Sequence, residues 1–317
     1  MNKIFINIGL PRASSTNLQK NILSQLNKFN YIGRFCQNEN QNLYKKIIDY
    51  VENRKVIIKN TSDFNNLKYQ FKNFCEASKK NILFSDESLT CPYITNNVTG
   101  KHLTFSHWEK LRRLNNIIKS VNLESKYFFV HRNPQEGIPS LFTTIHHRII
   151  NIFGWEFRNF DYFIKNILDN NKNFKELKLL LDVYSKNKIK AFFSKEINKE
   201  IHALNFHLLK TDQKEFLKNL CTVLEIENEM IFENYLSIKL HPGDKNEIGQ
   251  HIVYAFHSGK IYKILLKIFE IIKLKTFTKK LFILFGFTGF KKEMITIEIN
   301  QNLLNQAITL NEQTEDF

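Results

Sequence analysis

Apolar residues fall into two repeating patterns along this chain. The first is a set of short, nearly continuous runs: Ile4-Phe5-Ile6-Asn7-Ile8, Val56-Ile57-Ile58, Ile82-Leu83-Phe84, Tyr127-Phe128-Phe129-Val130 and Ile201-His202-Ala203-Leu204. A strand buried on both faces of a parallel sheet presents this kind of run, where a half-exposed strand would alternate. The second pattern is apolar residues at helical spacing between the runs. Leu18, Ile22, Leu23 and Leu26 follow the first strand, with Ser14, Ser15 and Thr16 as candidate N-caps. Helical periodicity returns from Trp108 to Ile118 and from Phe174 to Tyr184. It returns again at Phe216, Leu217, Leu220 and Leu224, behind an Asp212 that reads as an N-cap. Strands alternating with helices predict an α/β fold: a three-layer, P-loop-like parallel sheet flanked by helices. Such sheets bind ligands at the carboxyl ends of their strands, and candidate motifs are judged by that position.

The pattern changes from Lys260 to Lys292, where apolar clusters alternate with Lys263, Lys267, Lys273, Lys275, Lys279 and Lys280. This predicts a main domain over residues 1–245 and a basic, mostly helical C-terminal elaboration over 246–317, with a frayed acidic tail after Asn311. The formal charge of +15 points to anionic partners without choosing among them. Nucleic acid is disfavoured, because no recognition motif appears and the lysines alternate with buried-type residues. Cys36, Cys75, Cys91 and Cys221 are widely separated and form no CxxC pair, which fits a reducing compartment. MNKIFINIG reads as a core strand and not as a secretion signal, and no run reaches the length of a membrane span. The expectation is a cytoplasmic protein. Peripheral contact with the inner face of the membrane through Lys260 to Lys292 is set against an ordinary core-packing subdomain.

Candidate chemistry sits at two strand ends. Gly9-Leu10-Pro11-Arg12-Ala13-Ser14-Ser15-Thr16-Asn17 joins the first strand to a helix, and such a junction offers an anion free N–H groups and the positive end of a helix dipole. Arg12 adds a fixed charge, and Ser15 and Thr16 add hydroxyls. The loop lacks the lysine of a Walker A sequence, and no acidic partner for Mg²⁺ stands out, which weighs against a kinase or NTPase. The second site follows Tyr127 to His131: Arg132-Asn133-Pro134-Gln135-Glu136-Gly137-Ile138-Pro139-Ser140 again places a cation, a turn and a helix with a hydroxyl after a strand. Arg132 can grip a phosphate bidentately, and Pro139 and Ser140 are expected near the first turn of the helix. Two anion sites at neighbouring strand ends suit a ligand with two separated anionic groups.

These motifs resemble those of the sulfotransferases that use 3′-phosphoadenosine 5′-phosphosulfate (PAPS), especially the bacterial and Golgi carbohydrate group. PRASSTNLQ resembles the family's 5′-phosphosulfate loop, P-[RK]-[TS]-G-T-[ST]-x-L-Q, and RNPQEGIPS resembles its 3′-phosphate motif, R-[ND]-P-x-[DE]-x-x-x-S. The stretch from Ile201 to Ile226 resembles its closing strand and helix. The resemblance implies that Arg12, Ala13, Ser14, Ser15, Thr16 and Asn17 hold the phosphosulfate, that Arg132 and Ser140 hold the 3′-phosphate, and that no metal is needed. It implies transfer of a sulfuryl group to a hydroxyl or amine of a glycan or glycolipid acceptor. The chain departs from the family at Ser14, where Gly is usual, and at Asn205-Phe206-His207, where Tyr-Glu is usual. The family's late Arg-Lys-Gly loop has only Lys291-Lys292 as a counterpart.

Such a reaction needs a base beside the acceptor and cations beside the leaving phosphate. Phe84-Ser85-Asp86-Glu87-Ser88 ends a central strand, so Glu87 is the first candidate base and Asp86 the second; Arg12 is the candidate cation. His107, and after it His102, are the rivals, and His146, His147 and Arg148 are candidates for the acceptor cleft. Two other functions remain open at this level: a nucleotide-dependent kinase on a P-loop-like fold, and a non-catalytic glycan- or membrane-binding relative.

Overall fold

Lys3–Asn7 (β1) is apolar at every interior position, and Ile4, Phe5 and Ile6 are fully buried. A strand without a polar face must be covered on both sides, which puts it at the centre of a sheet. In the computed structural model β1 is the middle of five parallel strands. Phe29–Gly33 (β2) and Asn81–Ser85 (β3) lie to one side, and Glu124–His131 (β6) and Ile201–Asn205 (β7) to the other, in the order β2-β3-β1-β6-β7, while Tyr93–Thr95 (β4) and His102–Thr104 (β5) pair antiparallel in a separate ribbon. The structure describes residues 2–36, 38–52, 61–91, 93–95, 102–104, 106–153, 155–169, 175–226, 250–257, 289–296 and 298–313.

The chain winds away from β1 through β2 and returns at β3, then crosses to β6. The strand order therefore reverses at β1, and the crevice beyond its carboxyl end is where an open α/β sheet takes its ligand. Register sets which tips meet. Asn7 pairs with Ser85 of β3 and with Phe128 of β6, and β6 runs on past that level to His131. The loop after β1 thus lies between the turn after β3 and the tip of β6.

Helices form at the periodic stretches from Trp108 to Ile118, within Phe174 to Tyr184 and from Phe216 to Leu224, and others form without having been singled out. Those relevant to the site are Ser15–Asn17 (α1), Asn38–Val51 (α2), Thr61–Ala77 (α3), His107–Ile118 (α4), Pro134–Phe153 (α5), Phe160–Leu168 (α6), Lys175–Asp182 (α7), Lys186–Phe192 (α8), Phe206–Thr211 (α9) and Gln213–Leu224 (α10). Asp212 caps α10 as expected, its Oδ1 accepting from the Glu215 N–H at 3.0 Å. The helix after β1 is irregular: α1 gives way to a π-turn over Leu18–Ile22 and a 3₁₀ turn over Leu23–Gln25, yet still buries Leu18, Ile22, Leu23 and Leu26.

The chain divides into two units. Met1–Ile138, Ile167–Pro242 and Asn305–Phe317 form the first, and Pro139–Asn166 with Gly243–Leu304 the second. In the first unit the buried ammonium of Lys188 bonds Asp182 Oδ1 at 2.6 Å and Asn311 Oδ1 at 3.1 Å. This ties the end of α7 and the start of α8 to the last helix, Gln301–Gln313 (α11). In the second unit, Phe142 packs edge-on against Phe160 and beside Phe163. The unit also holds an antiparallel ribbon of Gln250–His257 (β8) with Gly289–Thr296 (β9), in a stretch where helices were expected. Most of the lysine-rich stretch, residues 258–288, and the predicted strand at Val56 to Ile58 lie outside the described residues. No helix among the described residues is long and apolar enough to cross a membrane.

Candidate active site

The loop after β1 is fixed before any ligand is considered. Asn7, fully buried, donates from Nδ2 to Ser85 Oγ at 3.0 Å and accepts the Gly9 N–H on Oδ1 at 3.1 Å. Gly9 has φ +48°, and a Cβ there would stand 2.8 Å from the Glu87 Cα, so only glycine lets the loop lie against the turn after β3. The Thr90 hydroxyl closes that contact by donating to the Gly9 carbonyl. Beyond it Leu10, Pro11 and Ala13 are buried, while Arg12 is exposed with φ 61°. Ser14 is again left-handed at φ 54°, ψ 23°. Alternating signs of φ are the backbone arrangement from which anion-holding nests are built.

The hydroxyls do not serve as expected from periodicity alone. Ser14 stands at the N-cap of α1, but its side chain makes no capping bond. Ser15 is buried, and its Oγ donates to Glu87 Oε2. Thr16 is exposed on the first turn, and Asn17 Oδ1 accepts from Asn21 Nδ2 at 2.7 Å, along its own helix.

The two carboxylates after β3 divide into distinct roles. Asp86 is buried, accepting the Ser88 N–H on Oδ1 at 2.6 Å and the Tyr44 hydroxyl on Oδ2. Burial and then the charge of Asp86 push the Tyr44 phenol above its ordinary value, so it stays a donor at neutral pH. Asp86 therefore caps the short 3₁₀ turn Glu87–Leu89. Lys110, itself without solvent exposure, steadies the same turn from beneath, donating to the Ser88 carbonyl at 2.9 Å and the Cys91 carbonyl at 2.6 Å. Glu87 is the carboxylate left facing outward. Its side chain is 29% exposed, with Ser15 on one oxygen and Arg34 Nη1 at 3.5 Å from the other.

His107, the rival base, is placed differently. It is fully buried at the start of α4, its ring centroid 3.9 Å from that of Trp108. Neither ring nitrogen has a hydrogen-bond partner among the described residues. Burial, then the charges of Lys110 and Lys188, lower its pKa to about 3. It is a neutral core imidazole at neutral pH. The side chains of His102, His146, His147 and Arg148 lie outside the described residues.

At the tip of β6, Arg132 reaches back across the sheet. Its Nη1 donates to the backbone carbonyl of Arg12 at 2.7 Å, its Cζ lies 5.1 Å from the centre of the Phe206 ring, and its Nε is 3.7 Å from Glu136 Oε2. Helix α5 starts at Pro134, earlier than the sequence suggested, because Asn133 caps it. Asn133 Oδ1 accepts from the Gln135 N–H at 3.0 Å, and its carbonyl accepts from Glu136 at 3.0 Å and Gly137 at 2.8 Å. Pro139 and Ser140 thus fall past the first turn. Ser140 is half-buried and belongs to the second unit, where its carbonyl accepts the Thr143 hydroxyl at 2.8 Å.

One further residue joins the loops. Tyr184, fully buried, donates its hydroxyl to the Pro11 carbonyl at 2.7 Å, and its ring fills the space where a Cβ on Gly137 would stand. Arg12, Ser15, Glu87 and Arg132 are thereby brought to one place, and Arg34 and Tyr184 join them without a motif to announce them.

No protein-family model and no curated protein sequence matches the chain. Among solved structures it is similar to one titled "Sulfotransferase Domain from the Curacin Biosynthetic Pathway", at 16% identity and a TM-score of 0.37, over 74% of this chain and 77% of that one.

Proposed function

We propose that this protein transfers a sulfuryl group from PAPS to a hydroxyl or amine, with a glycan or glycolipid as the acceptor class. The observation that carries this reading is the bond from Arg132 Nη1 to the Arg12 carbonyl, 2.7 Å long. It makes the two anion loops neighbours, as a ligand with phosphate at both ends of one nucleoside requires.

The residues present fit such a ligand. The exposed Arg12 guanidinium, the Thr16 hydroxyl and the alternating loop backbone suit a phosphosulfate, and Arg132 suits a terminal phosphate. Glu87 accepts the acceptor's O–H or N–H proton as the new bond to sulfur forms. The bond from sulfur to the 5′-phosphate oxygen breaks, leaving adenosine 3′,5′-bisphosphate. Arg12 stabilises the charge growing on that phosphate, where a fixed cation counts for more in the transition state than in the ground state. Ser15 holds Glu87 by one oxygen and so orients it. A sulfuryl group carries less charge than a phosphoryl group, so this scheme needs no metal.

Calorimetric titration with adenosine 3′,5′-bisphosphate and with ATP, on the native protein and on Arg132→Ala, tests the reading. Tighter binding of the bisphosphate than of ATP, lost in the variant, is expected. Preference for ATP with Mg²⁺ would favour a kinase, and no nucleotide binding at all would favour a non-catalytic relative.

A further inference from the structure

The first turn of α5 cannot supply the anion grip usual at helix N-termini. Pro134 has no N–H, and Asn133 already takes those of Gln135 and Glu136. The grip on an anion beside β6 must therefore come from side chains. Arg132 is one, and the geometry supplies a second. Lys210, near the end of α9, holds its Nζ 3.6 Å from Glu136 Oε2, the same oxygen that lies 3.7 Å from Arg132 Nε. Lys210 Nζ also lies 4.9 Å from the centre of the Phe206 ring, against which Arg132 rests at 5.1 Å. One anionic oxygen is thus already held between two cations that share an aromatic wall.

We propose that Lys210 is a second cationic ligand for the 3′-phosphate, and that the Glu136 carboxylate occupies its place until the nucleotide displaces it. The inference rests on the sulfuryl-transfer reading. Three features support the exchange. Lys210 and Glu136 are 50% and 51% exposed, so the resident ion pair is of the solvent-screened surface kind and is readily exchanged. A phosphate carries more charge than a carboxylate and presents three oxygens, so it engages Arg132 and Lys210 together. The Phe206 ring limits where both cations can swing, which lowers the ordering cost of the bound arrangement.

The test is calorimetric binding of adenosine 3′,5′-bisphosphate and of adenosine 5′-monophosphate to the native protein, Lys210→Ala and Glu136→Gln. Lys210→Ala is expected to weaken the bisphosphate roughly tenfold, the range of one charge-assisted hydrogen bond, and to leave the monophosphate within about twofold. Glu136→Gln removes the competitor and is expected to tighten the bisphosphate about two- to fivefold, a gain that damage to the fold does not produce. An equal loss for both nucleotides in Lys210→Ala, or no loss for either, overturns the assignment of Lys210. Unchanged or weaker bisphosphate binding in Glu136→Gln overturns the placeholder role. A native protein that binds the two nucleotides alike refutes the donor-site reading itself, which is a different result from either.

Discussion

The phenolic oxygen of Tyr184 donates to the Pro11 carbonyl at 2.7 Å, so a residue just past the end of α7 sets the height of the loop after β1. Tyr184→Phe keeps the ring against Gly137 and removes only this donor. A buried carbonyl that loses its donor costs about 1–3 kcal/mol. That corresponds to a melting temperature lower by about 1–5 °C for a chain of this size, with weaker bisphosphate binding in parallel. Differential scanning calorimetry checks the first and titration the second. An unchanged bisphosphate affinity would show that the loop keeps its shape without Tyr184.

Glu87→Gln keeps the shape of the side chain and its contact with Ser15, but it cannot take a proton. Turnover of any acceptor found by screening saccharides with radiolabelled donor is expected to fall about 10²- to 10⁴-fold, the range for loss of a general base. Bisphosphate affinity should stay within about threefold. If turnover survives, the proton goes elsewhere, and Asp86 and His107 are poor substitutes given their burial.

Ser14 holds a left-handed backbone at φ 54°, a conformation that costs a residue with a Cβ about 1–2 kcal/mol. Its side chain makes no capping bond that would offset this. Ser14→Gly is expected to raise the melting temperature by about 1–4 °C and not to lower it. A fall measured by thermal denaturation would mean that the Ser14 hydroxyl contributes more than the strain.

Stability should fall with acid in a window set by His107. Its folded pKa is about 3 against an ordinary 6.5, so between those values the unfolded chain binds a proton that the folded chain refuses. The stability present above pH 6.5 is lost as pH drops, by up to about 1.4 kcal/mol per unit, and the loss ends near pH 3. Burial raises the Asp182 carboxyl, whose contribution has the opposite sign, so the comparison is between native protein and His107→Phe. The variant should show a flatter denaturation midpoint from pH 6.5 to 4. Parallel curves would mean that the imidazole is hydrated in solution.

What sequence alone revealed, and what it hid, follows from the range of the interactions. β1, β3 and β6 announce themselves because strands buried on both faces are apolar along their middles; β7, at the far edge and only partly buried, shows through Ile201 and Leu204. β2 carries no such signal: it lies at the sheet edge, and its FNYIG carries an asparagine that half exposure tolerates. The ribbon of β8 and β9 lies in a stretch whose lysine-rich middle suggests helix; β8, QHIVYAFH, carries no lysine and β9, GFKKEMIT, has its two side by side, so nothing local decides the period. Arg12, Glu87 and Arg132 are legible from the loops that follow strands. Tyr184, Arg34 and Lys210 were not, since each is defined by a partner distant in sequence; Tyr184 and Pro11 are 173 positions apart. The roles of Asp86 and Glu87 could not be separated without knowing that Tyr44 points at the former.

The tie between Lys188 and Asn311 spans 123 positions and bears on how the protein is made. A polypeptide leaving the ribosome exposes the β1 loop, Arg132 and Lys188 long before residue 311 is synthesised. Until then the Lys188 ammonium lacks its amide ligand and the end of α7 lacks its clasp. Tyr184 lies two residues past that helix, so the clasp behind the support of the β1 loop closes only after residue 311 has been made.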